Sequence, residues 1–280
     1  MATTNAAITV GVLALQGAFI EHIKLLQEAS TALSRTSHDR NWSSIEVRTP
    51  NELAKCDALI IPGGESTTIS LVAARSGLLE ELRAFVKVLR KPTWGTCAGL
   101  ILLAESANRT KRGGQDLIGG LDVRVNRNHF GRQTESFEAD ILLPFLDGDG
   151  NKTSKPFNGI FIRAPVVEKL LPVKSGEQET EAAKEDTVIA PSRAPLNEMV
   201  MTSVNQPVEI MATLPGRGAR LVGKLEPVNS DVGVGDIIAV RQGNVFGTSF
   251  HPELTRDARV HIWWLEQVRA AVEMRSKVGS

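Results

Sequence analysis

Two periods of hydrophobic residues organise the first hundred positions. Residues 8–15 form a β-branched apolar run that stops at Gln16-Gly17, and residues 18–29 then repeat apolar positions at helical spacing through Ile20, Ile23, Leu25 and Leu26. The pair reads as a strand followed by a helix. Residues 30–44 (STALSRTSHDRNWSS) are polar and aperiodic, which predicts a loop leading to a second strand near residues 45–48. A third strand covers residues 57–61 and stops at Pro62-Gly63-Gly64. Residues 67–89 read as helix with a break near Gly77, residues 93–95 as a fourth strand, and Cys97 opens another helix. Strands alternating with helices predict an α/β fold, with a parallel sheet covered on both faces. Functional loops then belong at the carboxyl ends of its strands.

The second half changes character. Residues 121–126, 136–143, 159–163, 208–213, 237–241 and 245–250 read as strands with short turns between several of them, so the sheet gains a mixed, partly antiparallel extension. Helix returns over residues 257–274. Two stretches fit poorly into a packed unit: 168–206, which contains GEQETEAAKED and PSRAP, and 215–235 (PGRGARLVGKLEPVNSDVGVG). Each reads as a flexible insertion or a lid. The expectation is one domain over residues 1–280 with insertions at 30–44, 168–206 and 215–235.

Composition narrows the partners. Hydrophobic residues make up 42% and charged residues 23%, and 32 basic side chains balance 32 acidic ones, so no nucleic acid or other polyanion is implied. The apolar run at 8–15 is too short to span a membrane or to serve as a signal sequence, which points to the cytoplasm. The two cysteines, Cys56 and Cys97, have no metal-ligand spacing, so neither a metal nor a structural disulfide is expected, and nothing calls for a cofactor.

Three stretches bear on chemistry. GTCAG, residues 95–99, fits G-x-C-x-G, a nucleophile elbow in which a strand turns sharply into a helix and the middle residue projects from the corner. The helix N-terminus favours a thiolate there. Read alone, Cys97 is equally a buried cysteine behind a turn. A nucleophile needs a base, and of the five histidines His251 stands out: it follows the strand VFGTSF, and Glu253, two residues on, can hold its imidazole. The alternative is an ordinary HPE surface turn. IIPGGESTT, residues 60–68, is either an anion-binding nest or a source of oxyanion donors, and it lacks the lysine of a P-loop.

Together GVLALQGAFIEH, IIPGGESTT, WGTCAGLILLA, RNHFGRQTESFEADI, GIFIRAP and GTSFHPELT resemble the glutaminase subunits of pyridoxal 5′-phosphate synthase, a family of class I (triad-type) glutamine amidotransferases. The resemblance covers residues 8–165 and 208–268, in family order. RNHFGRQ with the following SFEAD is its most particular block, because other class I amidotransferases share only the PGG, G-x-C-x-G and H-P-E elements.

The resemblance implies a flavodoxin-like α/β fold and a site assigned residue by residue. Cys97 is the nucleophile, His251 the base and then the acid, and Glu253 orients the imidazole. Gly64 and Ala98 supply the oxyanion N–H groups. Gly64, Glu65, Ser66, Arg127, Ile162 and Arg163 hold L-glutamine, and Gln16 supports the oxyanion loop or the subunit interface. The implied partner is a synthase (lyase) subunit in a hetero-oligomer. Two competitors remain: an amidotransferase or cysteine hydrolase serving another acceptor or substrate, against which RNHFGRQ argues, and a non-catalytic binding module, against which the intact Cys97, His251 and Glu253 argue.

Overall fold

The computed structural model describes residues 7–36, 41–108, 115–127, 136–147, 155–172, 186–215 and 235–278. Its centre is five parallel strands in the order β13 (Val245–Thr248), β4 (Thr93–Thr96), β3 (Ala58–Ile61), β1 (Ile8–Leu13) and β2 (Trp42–Val47). The run ALII of β3 is buried throughout, as a strand covered on both faces requires. Its alternating side chains separate two apolar clusters. Leu59 and Ile61 face α3 (Ser66–Arg75), α4 (Leu78–Arg83) and α5 (Ala98–Leu103), while Ala58 and Ile60 face α1 (Phe19–Thr36) and the C-terminal helix α7 (Arg259–Val278). The expected helix break falls where Gly77, at φ +70°, separates α3 from α4.

Beyond β13 the sheet becomes mixed. β12 (Asp236–Gln242) runs antiparallel to β13, and β9 (Val166–Leu170) runs antiparallel to both β12 and β6 (Leu121–Asn126). β6 pairs in parallel with β5 (Ala104–Asn108), β10 (Thr187–Ile189) closes that edge, and β11 (Glu209–Leu214) pairs with β12. A separate antiparallel pair, β7 (Ser136–Ile141) and β8 (Phe157–Ile162), packs Phe157 and Phe161 into the α1 and α7 cluster. The α/β class and the partly antiparallel extension therefore hold.

Several local expectations do not. Residues 30–36 are helix, not loop, because α1 runs on to Thr36 and buries Leu33 below Ala29. The hydroxyls that disguised this turn donate to backbone oxygens inside it: Ser30 and Thr31 to Gln27 O, and Ser34 to Ser30 O. Strand β2 starts at Trp42 rather than Ile45, leaving only 37–40 of this stretch outside the described residues. The stretch 168–206 is not structureless either. It holds the end of β9, all of β10 and a short helix at Glu198–Val204 (α6, the helix α2 being Pro50–Ala54), capped by Asn197 Oδ1, which accepts from Val200 N at 3.0 Å. GEQETEAAKE, residues 176–185, lies outside the described residues, as do residues 216–234 of the second insertion. The helix opened by Cys97 ends at Leu103, and the run AGLILLA gives no warning that β5 begins at Ala104; an apolar run without a polar face fits either period.

The parallel strands aim their carboxyl ends at one edge, and the loops after β1, β3, β4 and β13 meet there. Glycines make the approach of α5 possible: a Cβ on Gly99 would collide with Ile61 O of β3, and one on Gly95 would collide with the backbone of Gly99. Gly99→Ala is expected to destabilise the fold by about 1 to 3 kcal/mol, read as a lower denaturant midpoint. An unchanged midpoint would show that α5 can shift away from β3 freely.

Candidate active site

Cys97 sits between β4 and α5 with φ +48° and ψ −100°, a conformation rarely adopted by residues other than glycine. Its N–H donates to Thr248 O at 2.8 Å, which ties the turn to β13. The sulfur lies 3.8 Å from Ile162 O at the end of β8. Ala98 N–H opens α5, where helical geometry offers it no acceptor.

His251 follows β13, and its N–H donates to Ile160 O at 2.8 Å, fastening the segment to β8. Its Nδ1 lies 2.7 Å from Glu253 Oε1, and both side chains are buried. The ring packs against Gly63, where any Cβ would overlap it. Burial alone would lower the His251 pKa. The charge of the Cys97 sulfur beside the ring, together with Glu253, reverses this and pushes it up to about 10. The favoured state is an imidazolium held between Cys97 and Glu253. The structure brings Cys97, His251 and Glu253 of the sequence expectation to one edge of the sheet.

The loop after β3 completes the edge. Glu65 N–H donates to Gln16 Oε1 at 2.7 Å, and Ala18 N–H to Gly63 O at 3.2 Å, so the turn after β1 braces the Gly63–Glu65 backbone. Gly17 reaches that position with φ +96°. Gly64 and Glu65 are exposed at the mouth of the site. The Glu65 carboxylate is engaged locally: it caps α3 by accepting from Thr67 N, Thr68 N and the Thr68 hydroxyl. Burial would raise its pKa, but these hydrogen bonds outweigh burial and lower it. Arg127 reaches the same loop, its Nη2 donating to Ser66 Oγ at 2.9 Å and Thr67 Oγ1 at 3.2 Å. Ser66 donates onward to Gln115 Oε1 at 2.8 Å. The rest of RNHFGRQ lies outside the described residues. Ile162 and the exposed Arg163, at φ +46°, form the opposite rim.

Residues 12–207 and 220–270 match the SNO glutamine amidotransferase family. The chain belongs to that family. This amidotransferase is 39% identical over 275 residues to the probable pyridoxal 5′-phosphate synthase subunit PDX2 of Arabidopsis thaliana, covering 98% of the chain and 91% of the relative. It is 40% identical over 261 residues to the pyridoxal 5′-phosphate synthase subunit PdxT of Streptomyces avermitilis, covering 93% and 94%. A solved structure described as a glutamine amidotransferase superposes with a TM-score of 0.60 at 34% identity, covering 92% of this chain and 98% of that one.

Among the described residues of the amidotransferase, no group of three or more His, Cys, Asp or Glu is placed to hold a metal ion, and no helix is long and apolar enough to cross a membrane. Cys56 is free and buried below β1, its thiol pushed up to about 11 mainly by burial. Two residues carried no role in the sequence reading and lie directly behind the triad: His22 in α1 and His261 in α7, both fully buried. The available clue was His22's place in LQGAFIEH.

Cys97 is the main group raising the His251 pKa. In Cys97→Ala burial dominates, and the imidazole is expected to lose its proton about 1 to 3 pH units lower. The Cε1 proton resonance of His251, followed against pH, checks this; equal midpoints in the two proteins would contradict the influence of Cys97 on the ring.

Proposed function

We propose that the chain is the glutaminase subunit of a pyridoxal 5′-phosphate synthase, hydrolysing L-glutamine to L-glutamate and passing the ammonia to a synthase (lyase) subunit in a hetero-oligomer. The observation that carries this reading is the meeting of Cys97, the His251–Glu253 pair and the Gly63–Glu65 loop at one sheet edge. Membership of the amidotransferase family supports the reaction, and the names of the relatives from Arabidopsis thaliana and Streptomyces avermitilis support the acceptor pathway. The reaction belongs in the cytoplasm, a reducing compartment that keeps a nucleophilic thiol out of disulfides.

In this reading the Cys97 thiolate attacks the side-chain amide carbon of glutamine. The developing oxyanion takes the N–H groups of Gly64 and Ala98, each such donor typically contributing about 3 to 4 kcal/mol. His251 Nε2–H protonates the departing nitrogen, ammonia leaves, and a γ-glutamyl thioester remains. Neutral His251 then takes a proton from water as the water oxygen attacks the thioester, which releases glutamate and restores the thiolate. Glu253 holds His251 in one orientation throughout.

Substrate recognition falls to the loops around the sulfur. Arg127 supplies a forked cation for the glutamine carboxylate while ordering Ser66 and Thr67. Glu65 contributes through its backbone and through α3, since its carboxylate is already engaged. Ile162 and Arg163 are assigned to the opposite side of the substrate, where Ile162 O lies 3.8 Å from the Cys97 sulfur.

Glutamate release from glutamine, measured with a cognate synthase subunit present, tests the reading. Cys97→Ala is expected to lower turnover by about a thousandfold or more, and undiminished release would overturn the assignment. Gln16→Ala removes the acceptor for Glu65 N–H and is expected to lower kcat by about 10- to 100-fold through misalignment of the Gly64 donor. Wild-type kcat in that variant would show that the loop holds its shape without Gln16.

A further inference from the structure

The triad ends, by motif, at Glu253, yet one oxygen of that carboxylate is unaccounted for. Glu253 Oε1 takes the His251 Nδ1 hydrogen bond, while Oε2 is buried with no hydrogen-bond partner among the described residues. The nitrogen facing Oε2 is His22 Nε2, at 3.4 Å. His22 comes from the first turn of α1, fully buried, with its ring edge-on to Trp94. Its Nε2 also lies 3.2 Å from Thr96 Oγ1, one residue before the nucleophile, and its Nδ1 lies 3.0 Å from His261 Nε2 of α7.

We propose that His22 is a positioning residue for this glutaminase, a neutral Nε2–H donor that holds the outer oxygen of Glu253 and is itself fixed in that tautomer by His261. The inference rests on the assignment of Cys97, His251 and Glu253 as the triad. Contacts determine the protons. A carboxylate and a hydroxyl both face His22 Nε2, and a bare ring nitrogen there would oppose the carboxylate lone pairs, so the proton sits on Nε2. His22 Nδ1 is then an acceptor, and the short contact requires His261 to donate from Nε2. His261 Nδ1 is left bare, in keeping with its lack of a partner among the described residues.

Charge supports the same assignment. The groups acting on His22 are His261, His251 and Glu253, with Cys97 beyond His251. Burial first, then the repulsion of His261 and His251, holds the His22 pKa well below its ordinary value, and burial takes His261 down to about 3. Both rings are neutral at working pH. Neutrality matters to the mechanism: a second imidazolium would compete with His251 for Glu253, whereas a neutral donor restrains the carboxylate and leaves its charge to His251.

Two measurements test the proposal. In the wild-type enzyme, the ¹⁵N resonances of His22 should show Nε2 protonated and Nδ1 bare from about pH 6 to about pH 9; a protonated Nδ1 or a cationic ring would overturn it. In His22→Leu, kcat for glutamate release with the synthase subunit present should fall by about 10- to 100-fold with little change in KM, and the His251 midpoint should move down. His22→Gln, which places an amide N–H near the Nε2 position, should recover most of the lost kcat. Wild-type kcat in folded His22→Leu, or equal loss in folded Leu and Gln variants, would overturn the positioning role. Failure of the triad assignment is distinguishable, because it shows as undiminished glutamate release in Cys97→Ala.

Discussion

The backbone of Cys97 holds the structure's chemistry in place, because it occupies a region of φ and ψ that L-residues avoid at a cost of about 1 to 3 kcal/mol. That conformation persists only because its surroundings determine it more strongly than local preference does. Cys97 N–H is fixed to β13, α5 is buried on every residue, and two glycines let that helix press on β3 and β4 without side chains between. The elbow is therefore a product of the sheet rather than of the five residues that spell it. Any loosening of the β3–β4–β13 packing reaches the sulfur directly.

Electrostatics follows from the same burial. Removing water from the site makes isolated charge costly, so each charge must face a specific partner. His251 is kept cationic by Cys97 and Glu253 against the pull of burial, while His22 and His261, a few ångströms deeper, are kept neutral by it. One residue type thus takes two protonation states within a single cluster, according to which faces an anion first. The Glu65 carboxylate and the Arg127 guanidinium repeat the arrangement at the rim, each engaged with the N-terminal turn of α3, so the loop after β3 is fixed from both sides.

Much of this was legible in the chain. The strand ends at Gly63, Cys97 and His251 were visible because each is an apolar run cut off by residues with chemistry, and a parallel sheet brings such ends together. What escaped has physical causes. The last turns of α1 were concealed by hydroxyls satisfied within the helix, and β5 by the absence of any polar face in the run from Ala98. β9 and β10 are short elements whose place is set by long-range pairing with β6, β12 and β5. His22 was hidden in plain view: its spacing is that of an ordinary core position on α1, and only the tertiary approach of α7 and the HPE turn gives its nitrogens something to do.

Cys56 bears on how the protein can be handled. It is close-packed under Gly11, where a Cβ would come within 2.6 Å of its sulfur, and its proton is held up to about pH 11. The chain has just one other cysteine, and it is the one at the elbow. A thiol reagent applied to the folded protein at neutral pH therefore meets Cys56 only as a buried, protonated thiol, and labelling of that sulfur becomes a report of opening beneath β1.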